Sequence, residues 1–169
     1  LHGDASVSGD QLHLDGSGDY FEVDGEIVGG TAGDSPNVGD DDPFDMSKGI
    51  LEVQFTQDSH IGTSPDTVVS RGEYADRGTE GYFEISVQAD GSVRIIHCDN
   101  GADVWTATQP GIVNPGDTIN VKYTCDENAG VQLHVENTTT GVSDTLDINT
   151  TGLTMDIGDN DDESWQIGA

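Results

Sequence analysis

Two Asp-rich segments are the first places in this sequence where residue types and spacing suggest chemistry. In the segment 156–163 Asp159, Asp161 and Glu163 stand at alternate positions, so several carboxylate oxygens can converge on one cation. In the segment 40–45 three aspartates are adjacent, and their charges repel one another unless a cation or solvent compensates them. Calcium prefers such oxygen ligands, although a solvated acidic loop is the alternative for each segment. The predicted calcium ligands are Asp40, Asp41, Asp42, Asp159, Asp161 and Glu163.

The net charge of the chain limits its partners. The sequence has 33 acidic and 5 basic residues among its 169, which gives a formal charge of −28 at pH 7. Nucleic-acid phosphates and anionic membrane surfaces attract clustered Lys and Arg, so both are excluded as partners. Aspartate dominates the acidic residues, with 24 Asp against 9 Glu. Adaptation to high salt, in which a dense acidic surface keeps a protein hydrated, stays open beside calcium binding.

A carbohydrate site would combine an exposed aromatic platform with planar polar side chains. Trp105, in the segment NGADVWTAT, is the predicted platform. Arg71, Tyr74 and His97 can join it if these residues share one face of a sheet. The alternative is that Trp105 is packed and that His97, beside Ile96 in the chain, is half-buried.

The two cysteines lie near the ends of strand-like runs. Cys98 ends the segment IIHC and Cys125 ends the segment KYTC, which predicts a cross-strand disulfide in an oxidising compartment. A pair of buried free thiols is the alternative. Neither cysteine belongs to a Cys and His spacing typical of zinc sites.

The elements that position these residues are β-strands. Alternation of apolar and polar residues runs through LEVQFT, YFEISVQ, SVRIIHC, TINVKYTC and VQLHVE. Asp90-Gly91 predicts a tight hairpin between two of these strands. The short strands recur at intervals typical of a sandwich or jelly roll, and no apolar stretch approaches the ~20 residues that span a bilayer. The sequence predicts one all-β domain over 1–169, a two-sheet antiparallel jelly-roll sandwich.

The order of these pieces resembles laminin G-like and concanavalin A-like lectin and glucanase domains. LHLDGSGDYFEV is similar to the opening of that family, TVVSRGEY to its strand followed by Ser-Arg-Gly, GYFEISVQADGSVRI to its central hairpin, and SWQIGA to a late strand. The stretch SPDTVVSRGEYADRGTEGYFEISV is also similar to modules of large secreted, adhesin-type bacterial proteins. In the family a further strand usually follows the Ile-Gly step, whereas this sequence ends at Ala169. The resemblance therefore leaves two alternatives, a final strand that is supplied in another way or a chain that is a fragment lacking that strand.

The resemblance implies a calcium-associated fold and an extracellular or cell-surface location. Asp19 becomes a further candidate metal ligand, because the Gly-Asp-Tyr step of the family often lies near its calcium. Jelly-roll glucanases typically carry a Glu-x-Asp-x-x-Glu strand, and this sequence has only Glu80 and Glu84 at a spacing that shares a strand face. The predicted function is a non-catalytic module that binds carbohydrate or another extracellular ligand, stabilised by calcium. A polysaccharide hydrolase or lyase, or a structural spacer, is the alternative.

Overall fold

A computed structural model describes most of the predicted strands. The described residues are 1, 3, 5–9, 11–14, 21–23, 48–57, 65–72, 82–99, 102–126, 128–148 and 165–168. Within these ranges every regular element is a strand. The strands are β1 (Ser6–Ser8), β2 (Gln11–His13), β3 (Phe21–Val23), β4 (Lys48–Thr56), β5 (Asp66–Arg71), β6 (Tyr82–Val87), β7 (Val93–Asp99), β8 (Ala102–Ala107), β9 (Thr118–Asp126), β10 (Gly130–Asn137), β11 (Val142–Ile148) and β12 (Trp165–Ile167).

The strands form two larger antiparallel sheets and a small hairpin. One sheet has four strands in the order β11-β10-β9-β4, and the other has six in the order β3-β12-β5-β6-β7-β8. The hairpin pairs β1 with β2. Apolar side chains of both larger sheets form one buried cluster, so the sheets pack face to face. The predicted all-β, two-sheet jelly-roll sandwich is confirmed.

The core follows from the alternation in the sequence. On β6, Phe83 and Ile85 point inward and are fully buried, and on β9 Val121 and Tyr123 do the same from the opposite sheet. The ring of Phe83 lies 5.2 Å from that of Tyr123 and 5.6 Å from that of Trp165, measured between centroids. Burying each large apolar side chain contributes about 1.5–3 kcal/mol, so this cluster holds the sheets together.

The predicted hairpin at Asp90-Gly91 joins β6 to β7. Gly91 has a φ of 75°, a left-handed conformation that favours glycine. A Cβ atom at this position would lie 2.5 Å from the carbonyl oxygen of Val113, so the turn packs directly against the loop that follows β8. The amide of Val113 also donates to the carbonyl of Gly91 at 2.9 Å. The hairpin therefore fixes the position of that loop.

A buried asparagine anchors the same loop to the four-stranded sheet. Asn137, 1% exposed, donates its side-chain amide to the carbonyl of Ile112 at 2.8 Å and to Oδ2 of Asp117 at 2.7 Å. Its side-chain oxygen accepts from the amides of Thr139 and Thr140 at 3.0 Å each. Asn137 begins an Asn-Thr-Thr tripeptide, but its buried amide serves the fold and cannot carry a glycan in the folded protein.

The two sheets differ in their outer faces. On the six-stranded sheet the outward positions of β6 and β7 are buried at Tyr82, Glu84, Ser86, Ile96 and Cys98. The four-stranded sheet instead exposes a polar outer face, which we call the open face. The described side chains of the open face are those of Lys48, Ile50, Glu52, Gln54, Thr56, Thr118, Asn120, Lys122, Thr124, Asp126, Gln132, His134, Glu136, Ser143, Thr145 and Asp147.

Candidate functional site

Two of the predicted ligand residues lie in the core. Arg71 on β5 pairs with Phe83 on β6, which pairs with His97 on β7, so the three form one cross-strand row. Arg71 is 6% exposed and its guanidinium carbon lies 5.9 Å from the ring centroid of Trp165. His97 is fully buried. The two residues do share a sheet face, as the sequence hypothesis required, and this face is turned toward the other sheet.

His97 links the two sheets by a hydrogen bond. Its Nδ1 and the hydroxyl oxygen of Tyr123 are 2.5 Å apart. The ring of His97 also meets Phe83 edge to face, at 5.6 Å between centroids and 82° between planes. Burial raises the pKa of Tyr123, and the nearby Cys125 raises it further, so the phenol stays protonated. The contacts of His97 are therefore those of a satisfied core histidine.

Trp105 and His97 lie in different cross-strand rows. The backbone of Trp105 on β8 pairs with Ile96, whereas Val104 pairs with His97. The backbone of Trp105 is therefore one residue out of register with the row that holds Arg71 and His97. The side chain of Trp105 and the whole of Tyr74 lie outside the described residues, so the predicted aromatic platform stays a prediction.

The predicted calcium ligands also lie outside the described residues. This applies to Asp19, to the segment 40–45 and to the segment 156–163. In the ranges that the structure does describe, no group of three or more His, Cys, Asp or Glu side chains is arranged to hold a metal ion. The calcium hypothesis therefore rests on the composition and spacing of these segments.

The predicted disulfide between Cys98 and Cys125 is not formed. Both thiols are buried, but they lie in different layers. Cys98 packs with Tyr82 and Ile96 on the outer face of the six-stranded sheet. Cys125 points from the four-stranded sheet into the core between the sheets. The six-stranded sheet itself separates the two side chains, so the alternative of two buried thiols describes this structure.

The structure reveals a buried polar network that the sequence did not single out. Glu84 accepts from Tyr82 at 2.6 Å, from Arg94 at 2.6 Å and from the hydroxyl of Ser86. Gln88 donates to Ser86 at 2.8 Å. The signal was present in YFEISVQ, because the alternation places Tyr82, Glu84 and Ser86 on one face. The partner Arg94 comes from the next strand, and only pairing brings it there.

The network keeps Glu84 ionised. Burial alone raises the pKa of this carboxyl, but the hydrogen bonds from Ser86, Tyr82 and Arg94, with the charge of Arg94, outweigh it and hold the pKa below its usual value. A general acid needs a raised pKa, so Glu84 is not suited to that role. With Glu84 only 7% exposed, the arrangement braces β6 against β7.

The open face presents its polar groups in cross-strand rows. One row crosses β4, β9, β10 and β11 through Ile50, Thr124, Gln132 and Asp147. The next row crosses the same strands at Glu52, Lys122, His134 and Thr145. Neighbouring strands lie about 4.8 Å apart, so each row sets hydroxyl, amide and charged groups at regular short intervals.

The charged groups of the open face are largely paired with one another. Lys122 lies 2.8 Å from Glu52, and Lys48 lies 3.3 Å from Asp126. These are the two lysines of the chain, so both face the same side of the molecule. Exposed pairs of this kind contribute little to stability, because solvent screens the attraction. In both pairs a neighbouring carboxylate compensates the positive charge of the lysine.

Solved structures with this fold include a laminin region, a carbohydrate-binding module and an enzyme domain. The chain is similar to the LG1-3 region of the laminin alpha2 chain, with a TM-score of 0.52 and 10% identity over 70% of this chain and 21% of that one. It is similar to the carbohydrate-binding module CBM40 of the Ruminococcus gnavus IT-sialidase bound to alpha2,3 sialyllactose, with a TM-score of 0.52 and 17% identity over 71% of this chain and 63% of that one. The enzymatically active domain of bacteriophage CBA120 tailspike protein 2 gives a TM-score of 0.53 and 9% identity over 73% of this chain and 19% of that one.

These likenesses establish the fold. The sequence matches no protein-family model and no curated protein sequence. The chain spans less than two thirds of the length of each of these similar structures. Among the described residues no helix is long and apolar enough to cross a membrane. The chain has the concanavalin A-like jelly-roll fold of laminin G-like domains, as the resemblance in its sequence implied.

Proposed function

We propose that this domain is a non-catalytic carbohydrate-binding module and that its ligand docks on the open face. The proposal rests on the difference in exposure between the outward side chains of the two sheets. The outward side chains described on β6 and β7 are buried apart from the partly exposed Arg94, whereas the four-stranded sheet exposes rows of hydroxyl, amide, imidazole and carboxylate groups. A ligand reaches the exposed groups without rearrangement of the core.

The chemistry of the open face suits sugars. Every sugar hydroxyl both donates and accepts, and the open face offers Thr hydroxyls and Asn and Gln amides that also do both. These groups stand on paired strands, which hold them more precisely than loops do. Several are already paired across strands, as in His134 with Thr145 at 2.7 Å, so little side-chain freedom remains to be lost on binding.

The similarity to a carbohydrate-binding module seen with sialyllactose supports the ligand class. The similarity to an enzymatically active tailspike domain supports a second candidate, an enzyme. The sequence resemblance to glucanases makes a polysaccharide hydrolase or lyase the form that we propose for it. The state of Glu84 favours the binding module, because this buried carboxylate is ionised and held by Arg94. Release of reducing ends or unsaturated products from polysaccharides would instead establish the enzyme.

Calcium and an extracellular location belong to the same proposal. The adjacent and alternating aspartates of 40–45 and 156–163 are the donor chemistry that calcium prefers, and they support a stabilising calcium ion. A module that binds glycans outside the cell has to be secreted or displayed on the cell surface, so we propose an extracellular location. A thermal melt in calcium and then in chelator tests the ion, with molar KCl as the control for salt adaptation. An unchanged midpoint in calcium, with a rise in KCl, would favour salt adaptation.

A glycan array tests the proposed function. The fluorescently labelled protein should bind a subset of glycans at 150 mM NaCl, and its unfolded form should bind none of them. Product assays on the bound glycans should show no cleavage. Silence across the array would remove the binding function and favour a structural spacer.

A further inference from the structure

A concave site lies on the open face beside Thr124, Gln132 and Asp147, which belong to one cross-strand row. A cavity of about 350 Å³ opens there. Gln132 and Asp147 are exposed and Thr124 is half-buried, so these polar groups are accessible from solvent. The residues that line the cavity are Thr124, Ala129, Gly130, Val131, Gln132, Asp147 and Ile148. We call this site the basin.

The polar groups of the basin are preset for hydroxyl ligands. The side-chain amide of Gln132 donates to Oδ1 of Asp147 at 2.6 Å. A carboxylate has two oxygens, so Oδ2 of Asp147 can accept from a hydroxyl while this bond is kept. The side-chain oxygen of Gln132 accepts and the hydroxyl of Thr124 both donates and accepts. Two neighbouring hydroxyls of a sugar ring fit this alternation of acceptors and donors.

An apolar group extends the same row. Ile50 on β4 pairs with Thr124 and is 56% exposed, which makes it one of the few large apolar side chains at the described surface. Sugar rings carry apolar C–H faces beside their hydroxyls. A ring or chain that occupies the basin can therefore lay its C–H face toward Ile50 while its hydroxyls meet Gln132 and Asp147.

The charge of the site selects against anionic ligands. Asp147 contributes a carboxylate to the basin, and the whole chain carries a formal charge of −28. The two lysines of the open face are already paired with Glu52 and Asp126. In the described part of the open face, a ligand carboxylate or sulfate would therefore meet the like charge of Asp147, while both lysines already lie beside carboxylates. An uncharged sugar avoids this repulsion and can still form hydrogen bonds with Thr124, Gln132 and Asp147.

We propose that the basin of Thr124, Gln132 and Asp147 is the primary subsite of the domain and that it takes an uncharged glycan through neighbouring hydroxyls. This inference rests on the proposed carbohydrate-binding function. It differs from the charged ligand, sialyllactose, held by the similar sialidase module.

Calorimetric titration with two oligosaccharide panels tests the inference. The neutral panel is lactose and the tetrasaccharides of cellulose, laminarin, xylan and mannan. The anionic panel is alpha2,3-sialyllactose and the tetrasaccharides of alginate, pectate and heparin. We expect the tightest ligand to come from the neutral panel, with an affinity that changes less than twofold between 0.15 and 1 M NaCl.

Three variants locate the site. Asp147→Asn keeps the shape of the side chain and removes its charge, and Gln132→Ala removes the amide. Each should weaken neutral binding about tenfold or more, which corresponds to the loss of one good hydrogen-bonding group. Glu136→Gln is the matched control, because Glu136 is exposed on the same strand two rows away. It should change affinity less than twofold, and near-UV circular dichroism should confirm that all three variants fold.

The outcomes separate the two proposals. An anionic oligosaccharide as the tightest ligand, or neutral binding that is unaffected by Asp147→Asn and Gln132→Ala, would overturn the inference and leave the binding function standing. No binding to any member of either panel would overturn both.

Discussion

His97 on one sheet and Tyr123 on the other share a hydrogen bond of 2.5 Å inside the core. Both side chains are fully buried, and Phe83 packs against each of them. The bond satisfies two polar groups that burial would otherwise penalise by about 1–3 kcal/mol each. It also links the two sheets inside their shared apolar core.

Tyr123→Phe should destabilise the protein by about 1–2 kcal/mol. The change keeps the ring and its packing and removes only the hydroxyl that meets Nδ1 of His97. Urea unfolding followed by tryptophan fluorescence measures the loss. Thr145→Ala, which removes an exposed hydrogen bond on the open face, is the control and should stay within about 0.5 kcal/mol of the wild type. Equal stability of Tyr123→Phe and wild type would mean that the bond contributes nothing.

Glu84→Gln should cost about 2–4 kcal/mol at neutral pH. Glutamine can still accept from Tyr82, but Arg94 loses the charge that compensates it in a mostly buried place. The pKa of Glu84 is lowered in the folded protein, so the unfolded chain binds its proton at higher pH. The stability from Glu84 is therefore complete above the ordinary pKa of a glutamate and is lost as pH falls through the lowered folded value.

Urea titrations of wild type and Glu84→Gln at a series of pH values test this dependence. The difference in free energy of unfolding between them should be constant above about pH 6 and shrink on acidification below about pH 4.5. Subtracting the variant removes the contribution of the other carboxylates. A difference that grows on acidification would reverse the assigned direction of the pKa.

Asn137→Ala should be among the more damaging single changes, at about 2–4 kcal/mol. It deletes the two donations to Ile112 and Asp117 and leaves the amides of Thr139 and Thr140 without their acceptor. Asn120→Ala, at an exposed position of the same sheet, is the control, with an expected effect within about 0.5 kcal/mol. Chemical denaturation measures both, and equal effects would remove the bracing role of Asn137.

The cysteines should behave as two buried thiols. In the native protein Ellman's reagent should react slowly with Cys98 and Cys125, because both are buried. In urea without reductant it should titrate both thiols of each chain at once. Zero thiols in urea, appearing only after reduction, would show that a disulfide forms and that the two layers rearrange to allow it.

Strand pattern and turn chemistry made the fold predictable. The alternation in LEVQFT, YFEISVQ and TINVKYTC appears as β4, β6 and β9, and Asp90-Gly91 forms the expected turn. Alternation tells which residues share a face of a strand, and the apolar set marks the face that is buried. Alternation and turn composition depend only on residues that are close in the chain, so strands and turns can be predicted from one sequence.

The site was less predictable because it depends on which strands pair and which faces meet. Cys98 and His97 are adjacent, so they point to opposite sides of β7, and only the packing of the sheets decides which one meets β9. Tyr123, the partner of His97, lies 26 residues away on the other sheet. The basin likewise draws its polar groups from separate strands, and the sequence pattern assigned none of them a common role.

The most direct test of a carbohydrate site on the open face is an NMR titration of the ¹⁵N-labelled protein with the neutral oligosaccharide that binds best. We expect amide shift changes concentrated on β9, β10 and β11 around Thr124, Gln132 and Asp147, with the strands β6 and β7 unaffected. Shift changes confined to β6 and β7 around Glu84 would rule out a site on the open face, and so would a bound oligosaccharide that leaves the amides of β9, β10 and β11 unchanged.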